Sequence, residues 1–388
     1  MNARRQHQIL CYTIEGLNSF GTVLYFTYVY FLLHQKFGFG DRDNLAVAAL
    51  LGLIYAVAAL QGGRFGQRHG NFAALKLGFG LMAVSWIVAV QLGTAAGQIA
   101  GAAAVSLGMC FTWPVLEALV SEGETPDHIP HAVGIYNITW AATNAGALFI
   151  GGAIIEKFGY ASIYWLPLGI VLLQLALTLR LEKIKLPAVQ TNSAVPPEVN
   201  RPSPGRAKNF LRLAWLANPF AYIAINTLIA VLPGVAGKFH LTPMFAGFAC
   251  SLWGFVRLAT FVVLWRWDGW HYRFRWLATA FVLLIISFTL ILVAPGLPVV
   301  LAAQVFFGAA IGLIYYSSLF YSMDASDTKS EHGGIHEAAI GVGNCLGPAT
   351  GAAALWLVPQ NPGTGAWAVT GLLTLGFGGL LWLRKSAD

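Results

Sequence analysis

The chain has 388 residues, of which 57% are hydrophobic and only 10% are charged, whereas soluble proteins carry about 25% charge. A soluble domain of this composition lacks the polar groups to cover its surface, and a disordered chain needs the opposite balance. The net charge of +7 is scattered among loops with no basic stripe interleaved with aromatics, which excludes a nucleic-acid surface and leaves a polytopic membrane protein.

A membrane helix consumes about 20 apolar residues, so the chain has room for about twelve spans. The apolar runs place spans 1 to 6 near residues 9–33, 44–63, 71–93, 96–120, 131–155 and 162–181. Spans 7 to 12 fall near 210–235, 243–266, 274–294, 297–322, 335–358 and 364–383. Runs such as 281–292 are apolar without the alternation of a transmembrane β-strand, so the expected fold is all-α. The first run follows Arg4 and Arg5 and is longer than a signal-peptide core, so it is expected to be a retained helix. Cys11, Cys110, Cys250 and Cys345 all lie in spans and form no CxxC pair, so neither a disulfide framework nor a zinc site is expected.

Basic residues set the orientation. The termini and the even-to-odd loops hold Arg4, Arg5, Arg64, Arg68, Lys76, Arg180 and most of the rest, while the opposite face has only Lys36, Arg42, Lys157 and Lys238. By the positive-inside rule both termini are cytoplasmic, and the basic face meets anionic lipid. Residues 182–208 carry Pro187, Pro196, Pro197, Pro202 and Pro204 among lysines and arginines, too polar to span and too proline-rich for a helix. They divide the chain into a bundle at 1–181, a cytoplasmic linker at 182–208 and a bundle at 209–388.

At an offset of about 204 residues the halves match weakly, in the manner of parallel repeats about an axis along the membrane normal. Gly108 pairs with Gly312, each ahead of a polar or aromatic patch, and Asn144 and Gly146 lie near the equivalents of Gly347 and Gly351. After span 2 comes Gly63-Arg64-Phe65-Gly66-Gln67-Arg68-His69-Gly70. This loop resembles the G-x-L-[AG]-D-R-x-G loop of the major facilitator superfamily, and with twelve spans and a central linker the resemblance covers nearly the whole chain. It implies two six-helix bundles rocking about a central site, lined by spans 1, 4, 7 and 10 with help from 2, 5, 8 and 11, and a monomer as the usual state. The family's acidic position is Gln67 here, which removes the ion pair that the motif makes. Span 11 carries Gly343-x-x-x-Gly347-Pro348-x-x-Gly351, similar to a motif that the family's antiporters carry in span 5; in the other half it implies close helix packing and a kink rather than antiport.

An ionisable group inside the bilayer costs about 2.5–3.5 kcal/mol on insertion scales, which makes each one a functional candidate. Glu15, Asn18 and Ser19 share a face of span 1, Glu117 follows Trp113 by four residues, and Arg257 follows Trp253 by four. Glu15 or Glu117 is expected to bind a proton, a cation or a substrate amine, and Arg257 to neutralise an acid or an anionic substrate. The competing expectation is a structural ion pair, or snorkelling near the cytoplasmic end. Two acids against one arginine favour proton coupling.

A substrate pocket needs fixed polar groups among aromatics. From the first half the candidates are Tyr25, Tyr28, Tyr55, Trp113, Asn137, Trp140 and Asn144. From the second half they are Asn226, Trp253, Tyr315, Tyr316, Ser317, Tyr321 and Asn344. As a set they suit a small polar or amphipathic solute such as a sugar, a nucleoside or a drug. For any one of them, helix packing or an interfacial aromatic belt is the competing role.

His332 and His336 have zinc-ligand spacing, but Gly333 follows His332, so H-E-x-x-H is absent, and Gly333-Gly334 opposes a helix between them. The loops before spans 5 and 11, with His128, His131, His332, His336 and Glu337, are expected to cap their helices or to form a cytoplasmic gate. No G-x-x-x-x-G-K-[ST] sequence is present for ATP. The sequence therefore predicts an inner-membrane secondary transporter, with protons as the preferred coupling ion and no cofactor, metal or nucleic acid. The alternatives are an uncoupled facilitator, a non-transporting solute sensor, or a membrane enzyme using His332, His336 and Glu337.

Overall fold

The structure is a computed structural model that describes residues 3–124, 128–186, 203–324 and 329–385. The side chains of residues 129, 130, 204, 323, 324 and 329–336 lie outside the description, as does residues 187–202 of the expected linker. Every regular element among the described residues is helical. Twelve helices are long and apolar enough to cross a membrane. Spans 1 to 6 are Ala3–Phe37, Asp41–His69, Asn71–Ala89, Ala95–Ser121, His131–Phe158 and Ser162–Leu181. Spans 7 to 12 are Gly205–Ala230, Pro243–Arg266, Phe274–Val293, Leu297–Ser322, Glu337–Leu357 and Thr364–Lys385.

Several helices outrun their apolar stretches. The first has 35 residues, roughly 50 Å at 1.5 Å per residue, against a hydrocarbon core of about 30 Å. Hydropathy reads only the membrane-embedded part, while the peptide hydrogen-bond ladder continues into polar sequence. Two expectations fail for this reason. Gly63, Arg64, Gly66 and Arg68 form the end of the span 2 helix rather than a loop, and Gly70 alone makes the turn, at φ +92°. Likewise the span 11 helix begins at Lys329 and passes through Gly333-Gly334 without a break. An interior glycine costs about 1 kcal/mol, too little to end a helix of 29 residues.

Two spans do break. In span 4 the helix stops at Met109 and restarts at Trp113, because Pro114 has no N–H to donate to Cys110 and its ring crowds that carbonyl. The Cys110 carbonyl instead faces Gly62 of span 2, where a Cβ would lie 1.9 Å from the oxygen. Span 8 breaks at Ser251 between Pro243–Cys250 and Leu252–Arg266. Gln304 of span 10 covers that break: its Oε1 accepts from Trp253 N at 3.4 Å, and its Nε2 donates to Ala249 O at 2.8 Å.

Within the first half span 1 packs on spans 5 and 6, and span 3 on spans 4 and 6; within the second, span 7 packs on spans 10, 11 and 12. The buried apolar side chains form two clusters, one of which joins most of the first half to second-half residues such as Leu232, Phe261 and Tyr315. The halves meet along two seams, span 2 against span 11 and span 5 against span 8. Small residues bring backbones together there. A Cβ on Gly52 would lie 2.4 Å from Asn344 C, one on Gly341 2.5 Å from Ala56 N, and one on Gly152 1.9 Å from Pro243 O. At the far end of the second seam Gly134 sits against the Trp265 indole.

Leucine at Gly341 therefore forces the first seam apart, a cost of about 1–3 kcal/mol for overpacking, whereas leucine at Gly80, which has nothing within 4 Å, is accepted. Thermal unfolding in detergent should show a lower midpoint for Gly341→Leu alone; equal midpoints for the two variants would contradict the close seam.

Candidate functional site

Between the seams lies a cavity of about 170 Å³ lined by spans 1, 2, 4, 5, 7, 8, 10 and 11. An engineered cavity of about 150 Å³ holds benzene, so this space suits a solute of that order. The residues fall on single helix faces by the three-to-four spacing. Span 1 presents Glu15, Ser19 and Thr22, span 5 Tyr136, Trp140 and Asn144, span 7 Tyr222, Asn226 and Ile229, and span 11 Glu337, Ile340 and Asn344.

The cavity gathers Glu15, Tyr55, Trp113, Glu117, Trp140 and Asn144 from the first half of the sequence-derived candidates. From the second half it gathers Asn226, Trp253, Arg257, Tyr315 and Asn344. The other candidates point elsewhere. Asn18 is buried behind this wall with its Nδ2 3.5 Å from Thr112 Oγ1. Tyr25 packs among Phe26, Trp86 and Tyr164. Tyr28 donates to Leu148 O of span 5 at 2.7 Å within the first half, and Ser317 donates to Ile314 O within its own helix. Tyr321 accepts from Tyr272 N at 2.9 Å in an aromatic cluster around Trp270. Asn137 accepts from Trp140 Nε1 at 2.9 Å and, with Tyr316, lines a second pocket of about 330 Å³ toward the 266–274 loop. Trp140 and Tyr315 of the cavity wall pack with Phe261, the ring centroids 5.1–5.7 Å apart.

Four charged side chains define the electrostatics. Glu15 accepts from Ser19 Oγ at 2.7 Å, and Tyr136 and Trp113 stand beside its carboxyl group. Glu337 accepts a hydrogen bond from the Tyr55 hydroxyl, a bond that joins span 11 to span 2 across the seam. Glu117 faces the same space, and the three carboxylates are close enough to act on one another electrostatically. Arg257 is 3% exposed. Its guanidinium carbon lies 4.5 Å from the Trp140 ring centroid and 5.0 Å from that of Trp253, and Nη2 donates to Asn144 Oδ1 at 2.9 Å. Among the described residues no ion pair joins Arg257 to a carboxylate. The structural ion pair expected as one reading of these residues is therefore not formed.

Glu337 belongs to this set rather than to a loop, since the helix begins eight residues before it. Its place was legible in the i, i+3, i+7 spacing of Glu337, Ile340 and Asn344, had the glycine pair not been read as a stop. Tyr136 and Tyr222, which are absent from the sequence-derived set, share faces with Trp140 and Asn226. The His332 and His336 side chains lie outside those described. Among the described residues no group of three His, Cys, Asp or Glu side chains is placed to hold a metal ion.

The fold has close structural relatives. The human organic anion transporter MFSD10 superposes with a TM-score of 0.71 at 14% identity, over 98% of this chain and 100% of that one. A bacterial homologue of the human drug peptide transporters gives 0.71 at 15% identity, over 99% and 100% of the two chains. The nucleoside transporter NupG gives 0.70 at 14% identity, over 100% of both. No curated protein matches the sequence. The family description Major Facilitator Superfamily matches residues 9–351. A multi-pass membrane transporter of small molecules, not an enzyme, is what that match and the fold establish, and the chain belongs to the Major Facilitator Superfamily.

Proposed function

We propose that the protein is a proton-coupled secondary transporter of a small polar or amphipathic solute. It sits in the cytoplasmic membrane as a monomer with both termini inside, the orientation that the basic loops favour. The observation that carries the coupling is the convergence of Glu15, Glu117 and Glu337, from spans 1, 4 and 11, on a cavity with a single guanidinium, Arg257. If all four were ionised, the cavity would hold a surplus of negative charge in a low-dielectric space. The surplus is two negative charges, and protons are the smallest particles that reduce it at carboxylates lining one cavity.

The Tyr55–Glu337 hydrogen bond supports a link between that proton and the movement of the halves. It crosses the seam between spans 2 and 11, which must part on one side during alternating access. Hydrogen bonds to charged groups are worth about 1.5–3 kcal/mol, so the charge on Glu337 bears on the stability of the closed seam. Bundle rocking around a fixed site is the general mechanism for such repeats.

Two outcomes are expected in proteoliposomes with an internal pH dye. A solute that is transported acidifies or alkalises the lumen, and Glu15→Gln, Glu117→Gln or Glu337→Gln reduces that signal at least tenfold, about 1.4 kcal/mol in barrier terms. Labelled solute crossing with no pH change in any preparation would replace proton coupling with facilitation. Separately, Tyr55→Phe keeps the ring that packs on Trp113 but removes the hydroxyl. Its melting midpoint should stay near that of the parent while the transport rate falls several-fold; an unchanged rate would remove the seam bond from the mechanism.

A further inference from the structure

Arg257 is a buried cation whose charge nothing nearby neutralises. Its Nε is buried without a hydrogen-bond partner, Asn144 is neutral, and the rings of Trp140 and Trp253 attract the guanidinium without cancelling its charge. Burial of an uncompensated charge is costly, and buried charges are normally paired. The three carboxylates in the cavity are placed elsewhere: one is held by Ser19 and another by Tyr55, and none reaches within 4.0 Å of Arg257 among the described residues. Tyr222, on the same cavity wall, lies within electrostatic reach of Arg257 and of Glu117 and Glu337. The cavity therefore holds an unpaired cation on span 8 and carboxylates on spans 1, 4 and 11 that do not contact it.

We propose that the solute taken into this cavity is a small monocarboxylate with an apolar, ring-sized body, its carboxylate paired with Arg257 between Trp140 and Trp253. The inference rests on the transport reading above and names the substrate class for the same site. A carboxylate is planar and accepts two parallel N–H bonds from the guanidinium fork, a geometry that an ammonium lacks. The body meets Val23, Phe26, Leu51, Ile225, Ile229 and Ile340, which form apolar wall around the polar groups. A second anionic group on the solute meets the repulsion of Glu15, Glu117 and Glu337, which restricts the class to monoanions. The volume of about 170 Å³ sets the size near that of benzoate.

The test compares benzoate with benzamide, which has nearly the same shape and no charge, by isothermal titration of the full chain in detergent. Benzoate should bind at least tenfold more tightly, about 1.4 kcal/mol. Arg257→Gln should abolish that preference, and Arg257→Lys should keep part of it, since lysine supplies the charge without the fork. Circular dichroism and size exclusion check that each variant is folded. Should Arg257→Gln fail to fold, the benzoate and benzamide pair on the parent protein decides by itself. Equal binding of the two, no benzoate binding at about 10 mM, or a preference that persists in Arg257→Gln would each overturn the proposal. Because binding is read without a gradient, benzoate that binds but drives no pH change supports the carboxylate site and defeats proton coupling alone.

Discussion

In hydrocarbon an unpaired peptide group costs several kcal/mol, because no water replaces the lost hydrogen bond. This constraint makes each span a helix and forces every irregularity to find cover. At the span 8 break the cover is Gln304, which bonds to backbone on both sides of Ser251. At the span 4 break it is the close approach of span 2, possible because position 62 is glycine. Both breaks lie close to the cavity, with Trp113 just after one and Trp253 just after the other on its wall, so departures from regular helix occur where protein rather than lipid surrounds the chain.

The same scarcity of water gives the charged groups their importance. Glu15, Glu117, Glu337 and Arg257 would be unremarkable on a soluble surface, where screening reduces an ion pair to a fraction of a kcal/mol. Here they share one cavity but do not pair off directly. Glu15 and Glu337 lean on hydroxyls, and the arginine on an amide and two indoles. A site that leaves its charges incompletely neutralised responds strongly to a proton or to a charged solute, because each changes a balance that the protein itself does not close.

Particular residues show how far the sequence carried the site. The Glu15 face, the Trp113–Glu117 pair and the Trp253–Arg257 pair were legible, since intramembrane charge is rare and helical spacing is simple. Glu337 was misplaced because a glycine pair was read as the end of a helix, whereas twenty further residues of span 11 hold that helix in register. Tyr25 and Tyr28 were counted as cavity residues, yet they pack between helices; an aromatic side chain on a span has several faces to choose from, and spacing along one helix does not say which neighbour occupies them. Tyr136 and Tyr222 were missed for the same reason.

The sequence by itself determined the all-helical membrane class, the twelve spans and the short roster of buried charges. Composition and apolar run length fix these directly, because a bilayer of fixed thickness admits few alternatives. Only the tertiary structure decided that the three glutamates converge while Arg257 stands apart from them, and that Tyr55 reaches Glu337 across 282 positions of sequence. Those relations depend on helix rotation and on how closely glycines let neighbouring backbones approach, and both are set by packing between spans that hydropathy cannot distinguish.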